Sequence, residues 1–559
     1  MRMSASLLAG AASIAFAAPA FAQFAPGPNP ITGTVGAQTL SAGTGTINAS
    51  GAISISSSGV ALTMTGTSTL NNNGTIQNTG SGRGIDSNSG SATLTVSNAG
   101  LISTATGDAF RINTAGTSVT LTNSGTIQVT AGGQAIDWAA ITTGANKLTN
   151  NTGATISAVG EDAVRPGQNG EIINAGTITA TPTGTTSPSG SDGIDLRTEK
   201  TVTVTNSGTI TGRHGIATDG ANVGPSSLTL TNQAGGTVQA LNGSGVNIDG
   251  VNTSVTANIT NQAGATIRGG VLALATNGDG DGIDVDGVLT LNNSGDVLGL
   301  GARGTGNNAE GIAAGGGSIT NTATGRIIGS TLAADAPNSE TGKAGNGILI
   351  DNSSGGNAIA ATTITNAGLI EGRSGVAARI IGTLADTVTN QAGGTMRGTS
   401  TEAALQTGGG NDSVTNAGAI ENLGIGKAID LGDGNDTLTL KNAATVLGDV
   451  DGGTGTDDLV FDLGPDGRFD YTGSFLNFET ARIIAGMLYL NGGSLSVFGD
   501  QAGNVDFLNL VDHTRVNGHT AGAFYDGTRT YITQVPEPAS LALFATGLAG
   551  MLALRRRRA

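Results

Sequence analysis

Short runs in which an apolar residue alternates with threonine recur along most of the chain. Residues 119–122 read Val-Thr-Leu-Thr, and residues 202–205 read Val-Thr-Val-Thr. An apolar residue at every second position indicates a strand with one face buried and the other face in solvent. Because glycine and asparagine separate the runs, the pattern predicts short strands joined by tight turns.

Many of these strands are followed by a motif of asparagine, a small residue, glycine, any residue, and isoleucine or valine. It begins at Asn98, Asn123, Asn174, Asn206, Asn366 and Asn416, and variants with inserted residues begin at Asn232, Asn261 and Asn390. Early motif asparagines are 24 to 27 residues apart, and later gaps reach 32. This recurrence predicts a repeat fold in which each period is one structural unit.

A second short strand lies further along each period. It reads Gly-Ile-Asp or Ala-Ile-Asp at residues 84–86, 135–137, 193–195, 282–284 and 428–430. One period cannot bury its own apolar face, but parallel stacking would bury continuous rows of isoleucine, valine and leucine. The sequence therefore predicts an all-β fold, a right-handed parallel β-helix (β-solenoid) with short strands.

The motif asparagine has a predicted role in this stack. Asparagine tolerates the left-handed turn conformation, and its amide can form a ladder with its counterpart in the next turn. At about 4.8 Å per turn, roughly 16 turns would form a rod of about 75 Å. The 45-residue gap between Asn321 and Asn366 is either an additional turn or a lateral loop. An amyloid-like or disordered chain is the alternative to the solenoid as a whole.

Composition supports an ordered, polar, acidic solenoid. The chain of 559 residues contains 94 glycines, only 3% aromatic residues and 12% charged residues, about half the usual charged share. A net charge of −16 disfavours nucleic acid as a partner. The absence of cysteine excludes disulfides, thiol catalysis and cysteine-ligated metals.

The N-terminus has the features of a secretory signal peptide. A positive residue and a short apolar stretch precede Ala20 and Ala22, the small residues expected before a cleavage site. We expect residues 1–22 to form a signal helix and to be removed after Ala22. A membrane anchor is the alternative, but the apolar stretch is short for one.

The C-terminus combines three features in a fixed order. Pro-Glu-Pro precedes an apolar stretch over residues 539–554, and an arginine cluster occupies residues 555–558. Sixteen helical residues span about 24 Å, slightly less than a bilayer core, and arginine side chains can extend toward the interface. The arginines predict a single transmembrane helix with a cytoplasmic end and an external upstream chain.

This C-terminal order resembles the PEP-CTERM sorting signal. The resemblance implies processing by an exosortase-type enzyme, transient anchoring in the inner membrane, and delivery to the surface of Gram-negative bacteria that make exopolysaccharide. A plain tail anchor is the alternative, but it leaves the Pro-Glu-Pro sequence unexplained. The residues that carry the resemblance are Val535, Pro536, Glu537, Pro538, Arg555, Arg556, Arg557 and Arg558.

The repeats resemble the β-helical passenger domains of bacterial autotransporters. Residues 476–480 and 487–492 are similar to the closing segment of such a passenger. An autotransporter ends in an outer-membrane barrel of at least eight strands, for which the residues between 492 and 536 are too few. We therefore expect the sorting signal to replace self-translocation.

These observations divide the chain into five parts. After the signal peptide we expect an N-terminal cap and first coils over residues 23–60, β-helix repeats over 61–459, a C-terminal cap and linker over 460–534, and the sorting signal over 535–559. A cap would cover the open backbone of the last turn. Aromatic residues concentrate there, at Phe461, Phe469, Tyr471, Phe475, Phe478 and Phe507.

Three glycine-rich stretches, residues 408–412, 432–436 and 452–457, resemble the Gly-Gly-x-Gly-x-Asp calcium loops of RTX β-rolls. Aspartate and carbonyl oxygens are calcium ligands, so the resemblance implies a calcium site. A true roll carries these loops in tandem, whereas here they occur once per period, and plain acidic turns are the alternative. The candidate ligands are Asp412, Asp433, Asp436 and Asp457. No other cofactor is expected.

A carboxylate-based enzyme is the main rival to a binding or structural role. Polygalacturonases use aspartate clusters on a β-helix, and glycan hydrolysis needs two carboxylates about 5 to 10 Å apart. Candidates are Asp192, Asp195, Asp219, Asp281, Asp284 and Asp286, with Arg213 and His214 nearby. The family's Asp-Asp pair and downstream Arg-x-Lys are absent, so we expect no catalytic residue.

The expected function is therefore that of an exported structural or adhesive protein of the cell surface or extracellular matrix. The sorting signal suggests association with exopolysaccharide or a biofilm. A secreted β-helix polysaccharide lyase or hydrolase, and an adhesin for other cells or surfaces, remain alternatives.

Overall fold

The computed structural model describes residues 24–534 except 89, 185, 187–189, 219, 465–466, 486, 491–494, 498–514, 517–518 and 526–529. Over this range the chain is a parallel β-solenoid of about 17 turns, and no helix is present among the described residues. The predicted all-β β-solenoid is thus confirmed. The predicted signal helix at 1–22 and transmembrane helix at 539–554 lie outside the described residues.

Each full turn contributes one strand to each of three sheets, which we name by their outward side chains or buried row. In the threonine sheet, the strands alternate buried aliphatic residues with outward threonine, and most end at the motif asparagine. Its strands are Gly43–Ile47, Thr67–Asn72, Thr93–Asn98, Ser118–Asn123, Asn146–Asn150, Gly170–Asn174, Thr201–Asn206, Ser226–Asn232, Val255–Asn261, Val288–Asn293, Gly317–Asn321, Thr362–Asn366, Thr387–Asn390, Ser413–Asn416, Thr437–Lys441, Asp458–Asp462 and Thr480–Ala485.

The isoleucine sheet begins directly after the motif glycine, and its central residue is usually a buried isoleucine. Its strands are Thr34–Val35, Ala52–Ile55, Thr75–Asn78, Leu101–Thr104, Thr126–Val129, Thr155–Val159, Thr177–Thr181, Thr209–Gly212, Thr237–Ala240, Thr266–Arg268, Asp296–Leu300, Arg326–Ser330, Leu369–Gly372, Thr395–Gly398, Ala419–Asn422 and Thr445–Leu447.

The acidic sheet contains the Gly-Ile-Asp strands, and its strands hold more charged residues than those of either other sheet. Its strands are Gln38–Leu40, Leu62–Met64, Ile85–Ser87, Phe110–Ile112, Ile136–Asp137, Val164–Arg165, Ile194–Asp195, Ile216–Ala217, Val246–Ile248, Ile283–Val285, Ile312–Ala314, Ile348–Ile350, Ala378–Ile380, Leu405–Gln406, Ile429–Asp430, Val450–Asp451 and Phe475–Phe478.

The remaining strands lie in turns or beyond the last full turn. Gly278–Asp279 pairs antiparallel with Ala302–Arg303, and Asp433–Gly434 pairs parallel with Thr454–Gly455. Toward the C-terminus the other strands are Arg468–Tyr471, Met487–Leu490, Leu495–Val497, Arg515–Val516, His519–Tyr525 and Thr530–Gln534.

Rows of aliphatic side chains run through the interior along the axis. Ile102, Ile127, Ile156 and Ile178 are register partners in four successive turns of the isoleucine sheet, and each is fully buried. Burying such a side chain contributes up to about 3 kcal/mol. The core is therefore extended along the rod, and each turn depends on its two neighbours.

The motif asparagines form the predicted ladder. In each turn the side-chain Nδ2 donates to the Oδ1 of the asparagine in the next turn, with N–O distances of 2.7 to 3.0 Å. The ladder runs without interruption from Asn72 to Asn416. Beyond its two ends, Asn72 is in register with Ile47 and Asn416 with Leu440. These aliphatic side chains cannot continue a chain of amide hydrogen bonds.

The motif glycine is required by close approach of successive turns. A Cβ atom on Gly100 would lie 2.0 Å from the carbonyl oxygen of Gly74, and one on Gly125 would lie 2.1 Å from that of Gly100. Contacts this short exclude any side chain. The glycine of the motif is therefore fixed by the spacing between backbones.

The structure resolves the 45-residue gap into one turn with lateral loops. Asn321 pairs directly with Asn366 in the threonine sheet, and Nδ2 of Asn321 donates to Oδ1 of Asn366 at 2.8 Å. The additional residues lie in connections over 331–347 and 351–361, on either side of the strand Ile348–Ile350. No additional turn is inserted between these two asparagines.

Aromatic side chains cluster in the last turns. Phe461, Phe469, Tyr471, Phe475 and Phe478 are buried, and neighbouring rings have centroids 4.4 to 6.5 Å apart. These rings fill the interior where the ordinary aliphatic rows end. Phe507 lies outside the described residues, and the proposed extent of the cap stays a prediction.

Candidate functional site

Long connections flank the acidic sheet near its middle. Residues 269–281, 301–310 and 331–347 lie at one edge, and residues 351–361 lie at the other. Hydrogen bonds join the loops of the first edge: Nδ2 of Asn338 donates to the carbonyl of Val271 at 3.0 Å, and the backbone N–H of Thr276 donates to the carbonyl of Thr186 at 2.9 Å. Together the loops enclose a groove over the sheet.

The groove consists of two adjoining clefts of about 800 and 580 Å³. Both clefts include Asp279, Asp284 and Ser353, so they form one continuous surface along the rod. We call this surface the acidic groove and define it by its central carboxylates. These are Asp249, Asp279, Asp281, Asp284, Asp286, Glu310 and Asp351.

Three of these carboxylates are especially close. Oxygen atoms of Asp279, Asp281 and Asp284 lie within 4.8 Å of one another. Among the described residues, no lysine or arginine nitrogen lies within 4.0 Å of any carboxylate that defines the acidic groove. The centre of the groove therefore combines negative charge with little local neutralisation.

Hydrogen bonds between turns hold the inner carboxylates in place. The backbone N–H of Glu310 donates to Oδ1 of Asp281 at 2.6 Å, and Nδ2 of Asn346 donates to Oε1 of Glu310 at 2.9 Å. Oδ1 of Asn346 in turn accepts from the N–H of Val376 at 3.1 Å. The same side chains thus connect the turns and line the groove.

Burial and mutual repulsion raise the pKa values of these groups. Burial raises the pKa of Glu310 to about 7, and burial followed by the charge of Asp286 raises the pKa of Asp249 to about 6. Burial, with Glu310 next in importance, holds the pKa of Asp281 well above its usual range. Glu310 is therefore partly protonated near neutral pH.

One end of the groove is neutralised by arginine. Arg165 and Arg197 lie 3.4 and 3.1 Å from Oδ2 of Asp195, and Arg213 lies 3.1 Å from Oδ2 of Asp192. Burial and then the charge of Asp162 raise the pKa of Asp195 to about 7. This end is a network of ion pairs, unlike the centre of the groove.

His214 lies in the same region as a neutral side chain. Its Nδ1 accepts a hydrogen bond from the backbone N–H of Ser244 at 2.9 Å. Burial, followed by the nearby charge of Arg213, lowers the pKa of His214 to about 3. The imidazole therefore connects two turns of the solenoid as an acceptor.

The structure brings together most of the carboxylates that the sequence suggested. Asp281, Asp284 and Asp286 lie at the centre of the groove, Asp192 and Asp195 lie at the arginine-rich end, and Asp219 lies outside the described residues. Sequence reasoning missed four members of the acidic groove. The lengthening of the gaps between motif asparagines, which marks the flanking loops, was the available signal for Asp249, Asp279, Glu310 and Asp351.

The three glycine-rich turns near the C-terminus stack directly on one another. Gly409 and Asp433 form a bridge between the first two turns, and Asp433–Gly434 pairs with Thr454–Gly455. Gly432 has a φ of +97°, and a Cβ atom there would lie 1.7 Å from the carbonyl oxygen of Gly408. Glycine is therefore required at this position because a side chain would clash with the backbone of the preceding turn.

The aspartates of these turns form a second ladder, the aspartate ladder, which consists of Asp386, Asp412, Asp436 and Asp457. Oδ1 of each of the last three accepts from the backbone N–H of the preceding member at 2.7 to 2.8 Å. All four are at most 3% exposed. The Oδ2 atoms of Asp412, Asp436 and Asp457 are buried without a hydrogen-bond partner among the described residues.

This arrangement brings only some of the predicted calcium ligands together. Asp433 is exposed, and its Oδ1 accepts from the hydroxyl of Thr454 at 2.6 Å. The partnerless Oδ2 atoms of the ladder fit a cation, but each turn offers only one of them, whereas calcium takes six to eight oxygens. Within the described part of the chain, Asp279, Asp281 and Asp284 are the acid groups that meet the spacing of a metal site. Calcium at the glycine-rich turns stays a prediction.

The predicted processing residues, from Ala20 and Ala22 to Val535, Pro536, Glu537, Pro538 and the four C-terminal arginines, lie outside the described residues. The sequence of the tail is nevertheless recognised, because residues 534–558 match the PEP-CTERM protein-sorting motif. The motif implies export, processing by an exosortase-type system, and sorting to the cell envelope or surface. No curated protein matches the chain.

Among the described residues, no helix has the length and apolar character needed to cross a membrane.

Proposed function

We propose that the protein is a scaffold of the cell surface or extracellular matrix that holds exopolysaccharide in the acidic groove. Two features support this role. The sorting motif directs the chain to the envelope or surface, and a solenoid of about 17 turns presents an extended binding surface without a deep pocket.

The observation that carries the proposal is the direction and lining of the groove. It follows the rod axis from the turn of Arg165 to the turn of Glu402, so a chain-like ligand can lie along it. Carboxylates accept hydrogen bonds from the hydroxyl groups of sugars, and bonds to charged acceptors are stronger than neutral ones. A linear polyhydroxylated ligand therefore fits the groove.

The charge of the groove limits the kind of polysaccharide. Within the described part of the chain, no lysine or arginine forms an ion pair with its central carboxylates, so a uronate-rich polymer would be repelled there. A neutral glycan, or one that carries amino groups, is compatible with the negative charge of the groove. The proposed ligand is therefore a neutral or amino-sugar exopolysaccharide.

Binding can be tested with the full-length protein and purified host exopolysaccharide. We expect the wild type to co-sediment with the polymer and the double variant Asp281→Asn with Asp284→Asn to bind more weakly. The matched control is Asp296→Asn, which removes a carboxylate from the outer face of the isoleucine sheet. Equal binding by the groove variant, or equal loss in the control, would contradict the proposal.

Sorting is tested separately from binding. Deletion of residues 535–559 removes the matched motif and should abolish delivery to the surface, measured by protease accessibility in intact cells. Unchanged surface delivery of the truncated protein would refute the assigned role of the tail, whatever the binding experiment shows.

A second candidate, a polysaccharide hydrolase, is favoured by one specific observation. A carboxyl whose pKa is raised by burial to about 7, Glu310, lies next to carboxylates, and such a pair can act as general acid and nucleophile or base. The test is incubation of the protein with the same exopolysaccharide and measurement of new reducing ends. Reducing ends that disappear in Glu310→Gln would support the hydrolase over the scaffold.

A further inference from the structure

The outward face of the threonine sheet is a regular array of hydroxyl groups. Two side chains per strand point outward, one and three positions before the motif asparagine. From the strand Thr201–Asn206 to the strand Thr437–Lys441 these positions hold threonine with few exceptions. The members are Thr203, Thr205, Thr229, Thr231, Asn258, Thr260, Thr290, Asn292, Ser318, Thr320, Thr363, Thr365, Thr387, Thr389, Ser413, Thr415, Thr437 and Thr439.

This surface, which we call the threonine face, is free of charge over its whole length. The array begins after the turns of Lys147 and Glu171, which pair with each other at 2.8 Å, and ends before Asp458. It contains no large side chain, and a shallow cleft of about 270 Å³ crosses the four strands from Ser226–Asn232 to Gly317–Asn321. Over the same turns, charged residues lie on the acidic sheet and the isoleucine sheet instead.

The hydroxyl groups in the middle of the face are available to an external partner. Within the described part of the chain, the side chains of Thr320, Thr363, Thr365 and Thr387 make no hydrogen bond to another residue. A threonine hydroxyl can donate one hydrogen bond and accept others. The face therefore presents unsatisfied donors and acceptors in rows.

The geometry of the face is that of a rigid two-dimensional lattice. Neighbouring turns are about 4.8 Å apart, and outward residues two positions apart on a strand are about 6.7 Å apart. The pairing shows no register shift from Gly170–Asn174 to Thr437–Lys441. Since the branched threonine side chain has few rotamers, hydroxyl and methyl groups repeat at fixed positions over about 40 Å, with interruptions at Asn258, Asn292, Ser318 and Ser413.

We propose that the threonine face binds the water lattice of ice. A partner that uses the whole face must itself be periodic in two directions and uncharged, and it must offer hydrogen-bond donors and acceptors at each point. The surface of an ice crystal has these properties. Because the side chains are already fixed by the sheet, little conformational entropy is lost when water molecules are ordered against them.

Other partners fit the face less well. A single flexible polymer has only one repeat direction and cannot match both spacings of the array. The inference does not depend on the scaffold role proposed for the acidic groove, which lies on a different sheet.

The experiment uses the full-length chain as the exporting cell releases it. We expect the wild type to shape growing ice crystals and to slow ice recrystallisation. The double variant Thr320→Tyr with Thr365→Tyr places two rings on adjacent turns of the face, so the concentration needed to slow recrystallisation should rise by at least about tenfold. The matched control, Thr209→Tyr with Thr237→Tyr, changes adjacent outward threonines of the isoleucine sheet.

Circular dichroism and thermal unfolding establish that both variants fold like the wild type. The proposal is overturned if the wild type leaves ice growth unchanged, or if the face variant and the control behave alike. Binding of the wild type to crystalline cellulose or chitin through the same threonines, without an effect on ice, would also overturn it. A face variant that fails to fold is replaced by Thr320→Lys with Thr365→Lys, which removes both hydroxyls and adds two charges to the face.

Discussion

The solenoid contains two side-chain ladders that perform the same task with different chemistry. In the asparagine ladder, each amide donates to the next and accepts from the previous one. In the aspartate ladder, each carboxyl accepts from a backbone N–H of the preceding turn, and Asp412, Asp436 and Asp457 keep their second oxygen without a partner. Both ladders are buried and follow the turns in register.

The difference between the two ladders shows why a side chain that both donates and accepts hydrogen bonds suits a repeat. An amide has a donor and an acceptor, so any number of turns can be added without a leftover polar atom. A carboxylate is only an acceptor, and stacked carboxylates repel one another in a buried environment. The asparagine ladder extends from Asn72 to Asn416, whereas the aspartate ladder is confined to the last turns.

The largest effect on stability is expected when an aspartate replaces one asparagine of the asparagine ladder. In Asn232→Asp, the donor from Nδ2 to Oδ1 of Asn261, and to the carbonyls of Gly236 and Thr266, is lost. A buried charge then faces acceptors, so we expect a loss of about 3 kcal/mol in unfolding free energy at pH 7. Denaturant unfolding measures this loss.

The control for this substitution is Asn258→Asp on the exposed threonine face. Because Asn258 is exposed, its change should alter stability by less than about 0.5 kcal/mol. The loss in Asn232→Asp should also shrink at low pH, where a protonated carboxyl regains a donor. Equal effects at the two positions would show that the ladder amide contributes little to stability.

The next prediction concerns pH. Burial raises the pKa of Asp412 and Asp457 to about 7 and that of Asp436 to about 6. Their charged neighbours are acidic as well, namely Asp386, Asp433, Asp451 and Glu479. The folded state therefore holds protons that the unfolded chain releases, and this contribution to stability is complete below about pH 4 and is lost as pH rises to about 7.

Hydrogen exchange, corrected for the intrinsic dependence on pH, should show this loss in the turns over residues 405–460. The triple variant with Asn at positions 412, 436 and 457 removes the titrating groups. Its protection should be nearly independent of pH over the same range. A wild type with equally flat protection would mean that these carboxyls are ionised in the folded state at no cost.

Sequence reasoning reached the fold because the repeat itself carries the information. Register is specified by the period between motif asparagines, and the buried row is specified by the residue two positions after the motif glycine, such as Ile127. The asparagine ladder was predictable since only a donor and acceptor side chain suits an indefinitely repeated position. The aromatic cluster was predictable for a different reason, because the scarce aromatic residues lie close together in the sequence near the last turn.

The acidic groove was only partly predictable because it lies where the period is interrupted. Asp284 belongs to a repeat strand, but Asp279, Asp281 and Glu310 lie in connections of irregular length. No repeat register assigns such residues to a position. Their proximity depends on how several loops pack together, which local pattern does not specify.

A smaller effect is expected from a single change in the aspartate ladder. In Asp436→Asn, Oδ1 still accepts from the N–H of Asp412, and a neutral amide replaces the carboxyl. The C-terminal turns should therefore gain protection at pH 8 and change little at pH 4. Protection that decreases at both pH values would show that Nδ2 finds no acceptor and that the carboxyl is preferred.

The smallest effect on hydrogen-exchange protection is expected from the addition of calcium. The one partnerless oxygen per turn and the exposed position of Asp433 leave most of a calcium coordination shell unfilled by carboxylates. A site with a dissociation constant of about 0.1 mM would add about 2.7 kcal/mol at 10 mM calcium. We instead expect protection over residues 405–460 to be the same with 10 mM calcium as with a chelator. Because exchange is read locally, binding of calcium by Asp279, Asp281 and Asp284 would not mimic the result. A clear local gain in protection would mean that the glycine-rich turns form a cation site after all, and that the partnerless oxygens are its ligands.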